Sequence, residues 1–182
     1  MRYLFDTYKQ LYSQYFMLQD SGHHSDFTIT KAFDFDFSAS SYWISTAPSV
    51  YFIICFPFHS LVIDSFEITT STGICRPVQF AVEVSLDGND YFGNQQYTYT
   101  MGTGETKQFF YNYNTTEIKC FKYTLIKSTC GSGSDINQFE FFGKLYDLKE
   151  SRANKCQKKG FLSCPMLRNR EPSMCILFLF LS

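Results

Sequence analysis

The sequence contains no apolar run near the roughly 20 residues that a membrane-spanning helix needs. Its apolar stretch Met174–Leu181 is less than half that length. Met1–Asp6 does not open a signal peptide, because Asp6, Lys9 and Asp20 interrupt the segment before any useful apolar run. No cysteine precedes Cys55, and the seven cysteines are an odd number. Cys156, Cys164 and Cys175 lie 8 and 11 residues apart with no neighbouring histidine, a spacing that fits no zinc motif. His23 and His24 are adjacent in a polar break and read as a solvated linker, and His59 stands alone. No nucleophile–base motif and no phosphate loop is present, and Gly102-x-Gly104 lacks the following helix that would cradle a pyrophosphate. The expectation is a protein that is not an enzyme and carries no cofactor and no metal.

Charge of one sign is also short in the larger part of the chain. Residues 1–148 hold 9 basic and 15 acidic side chains, whereas residues 149–182 hold 7 and 2. A domain that acidic is a poor binder of phosphate backbones, so nucleic acid is not an expected partner. Lys149, Arg152, Lys155, Lys158 and Lys159 lack an apolar face and interleaved aromatics, and residues 148–182 read as a basic, disordered tail. With no leader, the thiols are expected to be reduced and the chain cytoplasmic, with an extracellular location as the alternative. Cys55 and Cys120 each fall within an apolar strand and are expected to be buried, unpaired thiols.

What is plentiful is aromatic residues: 21 Phe and 13 Tyr, against a single Trp. These suit pleated surfaces, and the patterning agrees. Leu4, Tyr8, Leu11, Tyr15 and Leu18 form one apolar stripe at helical spacing, so residues 1–22 are expected as a short helix and linker. From there on the period is 2. Phe27–Phe37 should contain a first strand; Val50–Phe58 is apolar on both faces and stops at Pro57. Leu61–Ser71 follows, with Phe66, Ile68 and Thr70 on one face. In Arg76–Gly88, Val78, Phe80, Val82 and Val84 alternate with polar or small residues, and Asp87-Gly88-Asn89-Asp90 turns the chain. Tyr97–Thr100, Lys107–Tyr113, Glu117–Lys127 and Asp135–Leu145 complete roughly eight short strands. Regular turns without interleaved helices predict an all-β antiparallel sandwich or barrel over residues 27–147.

Four pieces occur in an order that resembles the discoidin domain, the type C domain of coagulation factors V and VIII. They are Trp43 after a polar loop; Arg76-Pro77, an apolar strand and Ser85-x-Asp87-Gly88; Cys120–Lys127 with Tyr123; and Phe139–Gly143 with Glu140 and Gly143. The resemblance covers about Phe27–Lys144. It implies a galactose-binding-like jelly roll that grips a glycan, a phospholipid head group or a protein through loops at one end. The family's disulfide clasp between cysteines near the two ends cannot form here. Trp43 reads as a core plug rather than a sugar-stacking platform.

Two function classes follow: a non-catalytic binding module, or an intracellular adaptor that docks on partner proteins. The oligomeric state is open. The candidate ligand loops are Ser38–Tyr42, Ser71–Arg76 and Gly131–Ser134. Within them Tyr42 offers a flat face with a hydroxyl, and Arg76 a planar fork for carboxylates, phosphates or paired hydroxyls. The competing role for Tyr42 is to cover the core, and for Arg76 to pair with Glu67 or Asp90 on the surface.

Overall fold

The computed structural model describes residues 16–34, 36, 38 and 41–147. Nine strands form two antiparallel sheets: β1 (Met17–Asp20), β2 (Trp43–Ile44), β3 (Tyr51–Cys55), β4 (His59–Thr70), β5 (Pro77–Ser85), β6 (Tyr91–Thr98), β7 (Thr106–Phe110), β8 (Cys120–Ser128) and β9 (Asp135–Asp147). One sheet runs β1-β3-β8-β5-β6 and the other β2-β9-β4-β7. The all-β sandwich expected from the turn spacing is the observed fold. The basic tail and most of the N-terminal apolar stripe lie outside the described residues.

Alternation produces this packing because every second side chain of a strand meets the same face. Phe80, Val82 and Val84 of β5, Phe121, Tyr123 and Leu125 of β8, and Phe139 and Phe141 of β9 are all buried. Between the sheets the rings interlock: Phe52 meets Phe139 edge-on at 5.2 Å, Phe66 meets Phe121 at 5.6 Å, and Phe121 meets Phe141 at 4.9 Å. Trp43 is fully buried and meets Phe52 edge-on at 5.6 Å. It is a core plug, not a platform for sugars.

The turn after β5 is fixed by side chains. Ser85 Oγ accepts from Gly88 N–H at 2.9 Å, and Asp87 Oδ1 accepts from the Asn89 and Asp90 amides at 2.9 and 3.2 Å. Those amide donors hold the Asp87 carboxyl below its ordinary range. Gly88 supplies the left-handed backbone, φ 97°, that closes the turn. Gly143 is required for a different reason. A Cβ there would lie 1.9 Å from Val62 O, where β4 shifts register against β9.

Three local expectations differ from what is seen. Phe27–Phe37 does not open with a strand but holds a 3-10 helix, Ile29–Phe33. Its buried residues Ile29, Ala32 and Phe33 recur at helical spacing. Phe33 is buried against both sheets, edge-on to Phe52 at 5.7 Å and stacked on Phe141 at 6.5 Å. The last stretch of the N-terminal stripe, Met17–Asp20, is strand rather than helix, because pairing with Phe52–Cys55 of β3 satisfies its backbone. Cys55 and Cys120 are not free thiols. They face each other in the β3–β8 register and are joined as a disulfide, with Cα atoms 4.1 Å apart. Cys75 and Cys130 form a second. The expectation of reduced thiols, on which a cytoplasmic location was argued, therefore fails for these four.

Candidate functional site

Strand direction sorts the loops into two ends. Pro77 at the start of β5 pairs with Ser128 at the end of β8, Thr70 at the end of β4 pairs with Ile136, and Ile44 pairs with Asp135. Residues 45–50, 71–76, 99–105 and 129–134 therefore gather at one end, while residues 56–58, 86–90 and 111–119 lie at the other. Two of the three candidate loops share the first end and are locked together. Cys75 is bonded to Cys130, Asp135 N–H donates to Cys75 O at 2.7 Å, and Arg76 N–H donates to Thr129 Oγ1 at 2.9 Å. Thr129 Oγ1 in turn donates to Ile74 O at 2.6 Å.

This end carries polar groups with unused bonding capacity. The Arg76 guanidinium donates through Nη1 to Thr103 Oγ1, while its Nε, buried, has no partner. The hydroxyls of Ser128 and Ser134 are buried and likewise unpartnered. Asp135 is 8% exposed; its Oδ2 accepts from Ser71 Oγ at 3.2 Å, and burial raises its carboxyl above the ordinary range. Gly73 crosses over this carboxylate, where a Cβ would come within 2.2 Å of Oδ2. Gly133 passes Ser45 so closely that a Cβ would lie 1.5 Å from its carbonyl oxygen. Buried polar groups in folded proteins are nearly always paired, so Arg76 Nε, Ser128 Oγ and Ser134 Oγ are unusual in lacking a partner at this end.

The remaining candidates fall elsewhere. Of the Ser38–Tyr42 loop, Ser38 and Ser41 lie beside β9, where Asn137 Nδ2 donates to both their carbonyls. Tyr42 stacks on Phe27 at 4.7 Å, and no hydrogen bond, ion pair or ring contact joins it to Arg76. Arg76 does not pair with Glu67 or Asp90. The ion pairs among the described residues are His23–Asp20 and Lys122–Glu83. Pro77, Ser85, Asp87, Gly88, Tyr123 and Gly143 serve turns and core, whereas Glu140 lies on an outer sheet face.

Sequence reasoning missed Ser45, Thr103, Ser128, Thr129 and Asp135. It also assigned His23–His24 to a linker, whereas His23 bridges to Ser45 beside the same end and bonds Asp20 Oδ1 at 2.9 Å. Nothing in the linear order signals these, because they are gathered from the ends of β2, β8 and β9 and the loop between β6 and β7. Among the described residues no group of three or more His, Cys, Asp or Glu is placed to hold a metal ion, and no helix is long and apolar enough to cross a membrane.

An antiparallel sandwich of this order has the galactose-binding-like fold, and comparison with solved structures finds that fold in carbohydrate-binding modules. The fold is similar to the family 32 carbohydrate-binding module of AlyQ, solved in complex with 4,5-unsaturated mannuronic acid, with a TM-score of 0.58 over 69% of this chain and 93% of that one at 12% identity. It is also similar to the family 32 module of Clostridium perfringens NanJ in complex with galactose, with a TM-score of 0.55, 11% identity, and 69% and 92% of the two chains covered. A module from a Clostridium perfringens family 31 glycoside hydrolase gives 0.53 at 22% identity over 69% and 93%. A family 89 glycoside hydrolase from the same organism is matched over only 14% of its length. No family model and no curated protein sequence matches the chain.

Proposed function

We propose that this chain is a non-catalytic carbohydrate-binding module, taking a glycan at the end where residues 71–76 and 129–134 are joined by Cys75–Cys130. The observation that carries this reading is the set of unsatisfied buried polar groups there: Arg76 Nε and the Ser128 and Ser134 hydroxyls, beside the Asp135 carboxylate. A sugar edge offers hydroxyls that both donate and accept, which is what a guanidinium, a carboxylate and two hydroxyls can use together. The solved carbohydrate-binding modules of the same fold support the choice of ligand class. The two disulfides favour an oxidising, extracytoplasmic compartment over the cytoplasm, and with it a glycan over an intracellular adaptor's partner.

The test is a glycan array with the intact chain, followed by titration of the best ligand against Arg76→Ala, Asp135→Asn and Tyr42→Ala. Loss of at least tenfold in affinity with Arg76→Ala and Asp135→Asn, and little change with Tyr42→Ala, is expected. An array with no glycan retained, together with binding to phospholipid vesicles or a specific protein, would replace this reading.

A further inference from the structure

The loop from Tyr111 to Lys119 lies at the end of the sandwich opposite Arg76, and it carries Asn114-Thr115-Thr116. This is the one place in the sequence where an asparagine stands two residues before a serine or threonine. With no proline between, that spacing is the acceptor signal for an asparagine-linked glycan on a surface loop of a secreted chain. The loop is anchored on both sides. Asn112 N–H donates to Gln95 Oε1 at 3.0 Å, and buried Ile118 exchanges both backbone hydrogen bonds with Leu61 at 2.9 Å. Between these anchors Thr116 N–H donates to Tyr113 O at 3.2 Å, which closes a tight turn with Asn114 and Thr115 at its apex. Both apex residues are exposed, and their side chains make no hydrogen bond among the described residues. Tyr113, beside the apex, is 42% exposed. Its ring lies over Gly93, where a Cβ would come within 2.9 Å of Cε2, and it meets the exposed Phe92 edge-on at 6.3 Å. The turn therefore presents its asparagine next to aromatic surface that the C–H groups of a sugar can cover.

The acceptor signal also needs the right compartment. Cys55–Cys120 and Cys75–Cys130 are disulfides, which form and persist on the oxidising secretory route rather than in a reducing cytosol. We propose that Asn114 is a modification site, carrying an asparagine-linked glycan at the end opposite residues 71–76 and 129–134. The donor is an oligosaccharide joined to a lipid pyrophosphate. The Asn114 amide nitrogen bonds to C1 of its first sugar, and the bond from C1 to the pyrophosphate oxygen breaks. The lipid pyrophosphate leaves with that electron pair and the nitrogen gives up one proton, so nothing is oxidised or reduced. The Thr116 hydroxyl singles out this asparagine, because Asn89, Asn94, Asn112 and Asn137 have no serine or threonine two residues on. The strands of the sandwich separate the two ends, so a glycan on Asn114 leaves the loops around Arg76 uncovered. This site shares with the carbohydrate-binding reading only the oxidising compartment, not the Arg76 end.

The experiment is expression of the full chain behind a cleavable leader in cultured eukaryotic cells. Intact mass and peptide mapping are read before and after treatment with peptide N-glycosidase. A single glycan is expected on most of the secreted chain, and the enzyme releases it with conversion of the Asn114 side chain to a carboxylate. Asn114→Gln and Thr116→Ala each abolish the glycan, whereas Thr116→Ser, which keeps the hydroxyl, retains it. Arg76→Ala, at the other end, leaves the modification unchanged. Failure of the carbohydrate-binding reading shows as a glycan array that retains nothing while the chain is still modified at Asn114, so the two failures are distinct. Absence of a glycan from Asn114, whether the chain is secreted or retained, a glycan that survives Thr116→Ala, or free thiols in place of the two disulfides would overturn the proposal.

Discussion

Replacing Cys75 and Cys130 by serine removes the covalent tie between the two loops of the candidate site. The crosslink spans 55 residues. In the chain-entropy account a closed loop of that size constrains the unfolded chain by about 4 kcal/mol, roughly a thousandfold in the folding equilibrium. Urea unfolding of the double variant should show this directly. With a denaturant slope of about 2 kcal/mol per molar, the midpoint falls by about 2 M. The hydrogen bonds from Asp135 N–H and Arg76 N–H remain in the variant, so the folded loops keep their places and the loss appears mainly through the unfolded state. Native-state mass mapping gives an independent reading, with neither Cys75 nor Cys130 alkylated before reduction. A midpoint shift below about 0.5 M, or a free thiol at either position in the native protein, would refute the reasoning.

Phe66→Ala opens a cavity among Phe80, Tyr97, Phe109, Phe121 and Phe139 and should cost about 3–5 kcal/mol in chemical unfolding. The Asp135 carboxyl is raised in the folded protein, so the folded state takes up its proton before the unfolded chain does. Its contribution to stability therefore grows as pH falls from neutral through the raised folded value. Asp135→Asn should flatten that part of the stability–pH curve, as followed by thermal melts across pH 4–7, a window set by ordinary carboxyl values near 4.

Much of the architecture could be read in the sequence because it depends on short-range alternation. The buried faces of β5, β8 and β9, the Ser85–Asp90 turn and the burial of Trp43 follow from neighbours in the chain. The disulfides could not be read, since the facing of Cys55 and Cys120 is a property of register between strands 65 residues apart. The same holds for the gathering of Ser45, Ser128 and Ser134 at one end. At Ile29–Phe33 the helical spacing was present, but the alternating Phe33, Phe35 and Phe37 pointed to a strand. Tyr42 was a sound choice by chemistry, yet it precedes β2 and stacks on Phe27.

One crosslink ends on the middle strand of the five-stranded sheet and the other ends two residues beyond it. Cys120 opens β8 and joins β3, and Cys130 follows its last residue and joins the stretch before β5. The two closed rings overlap, so any single peptide-bond cut from residue 56 to residue 129 leaves both pieces covalently attached. A protein nicked by a protease in one of these loops would migrate as one species on a non-reducing gel and split only when reduced. Its working surface could thus outlast cleavage of the chain that built it.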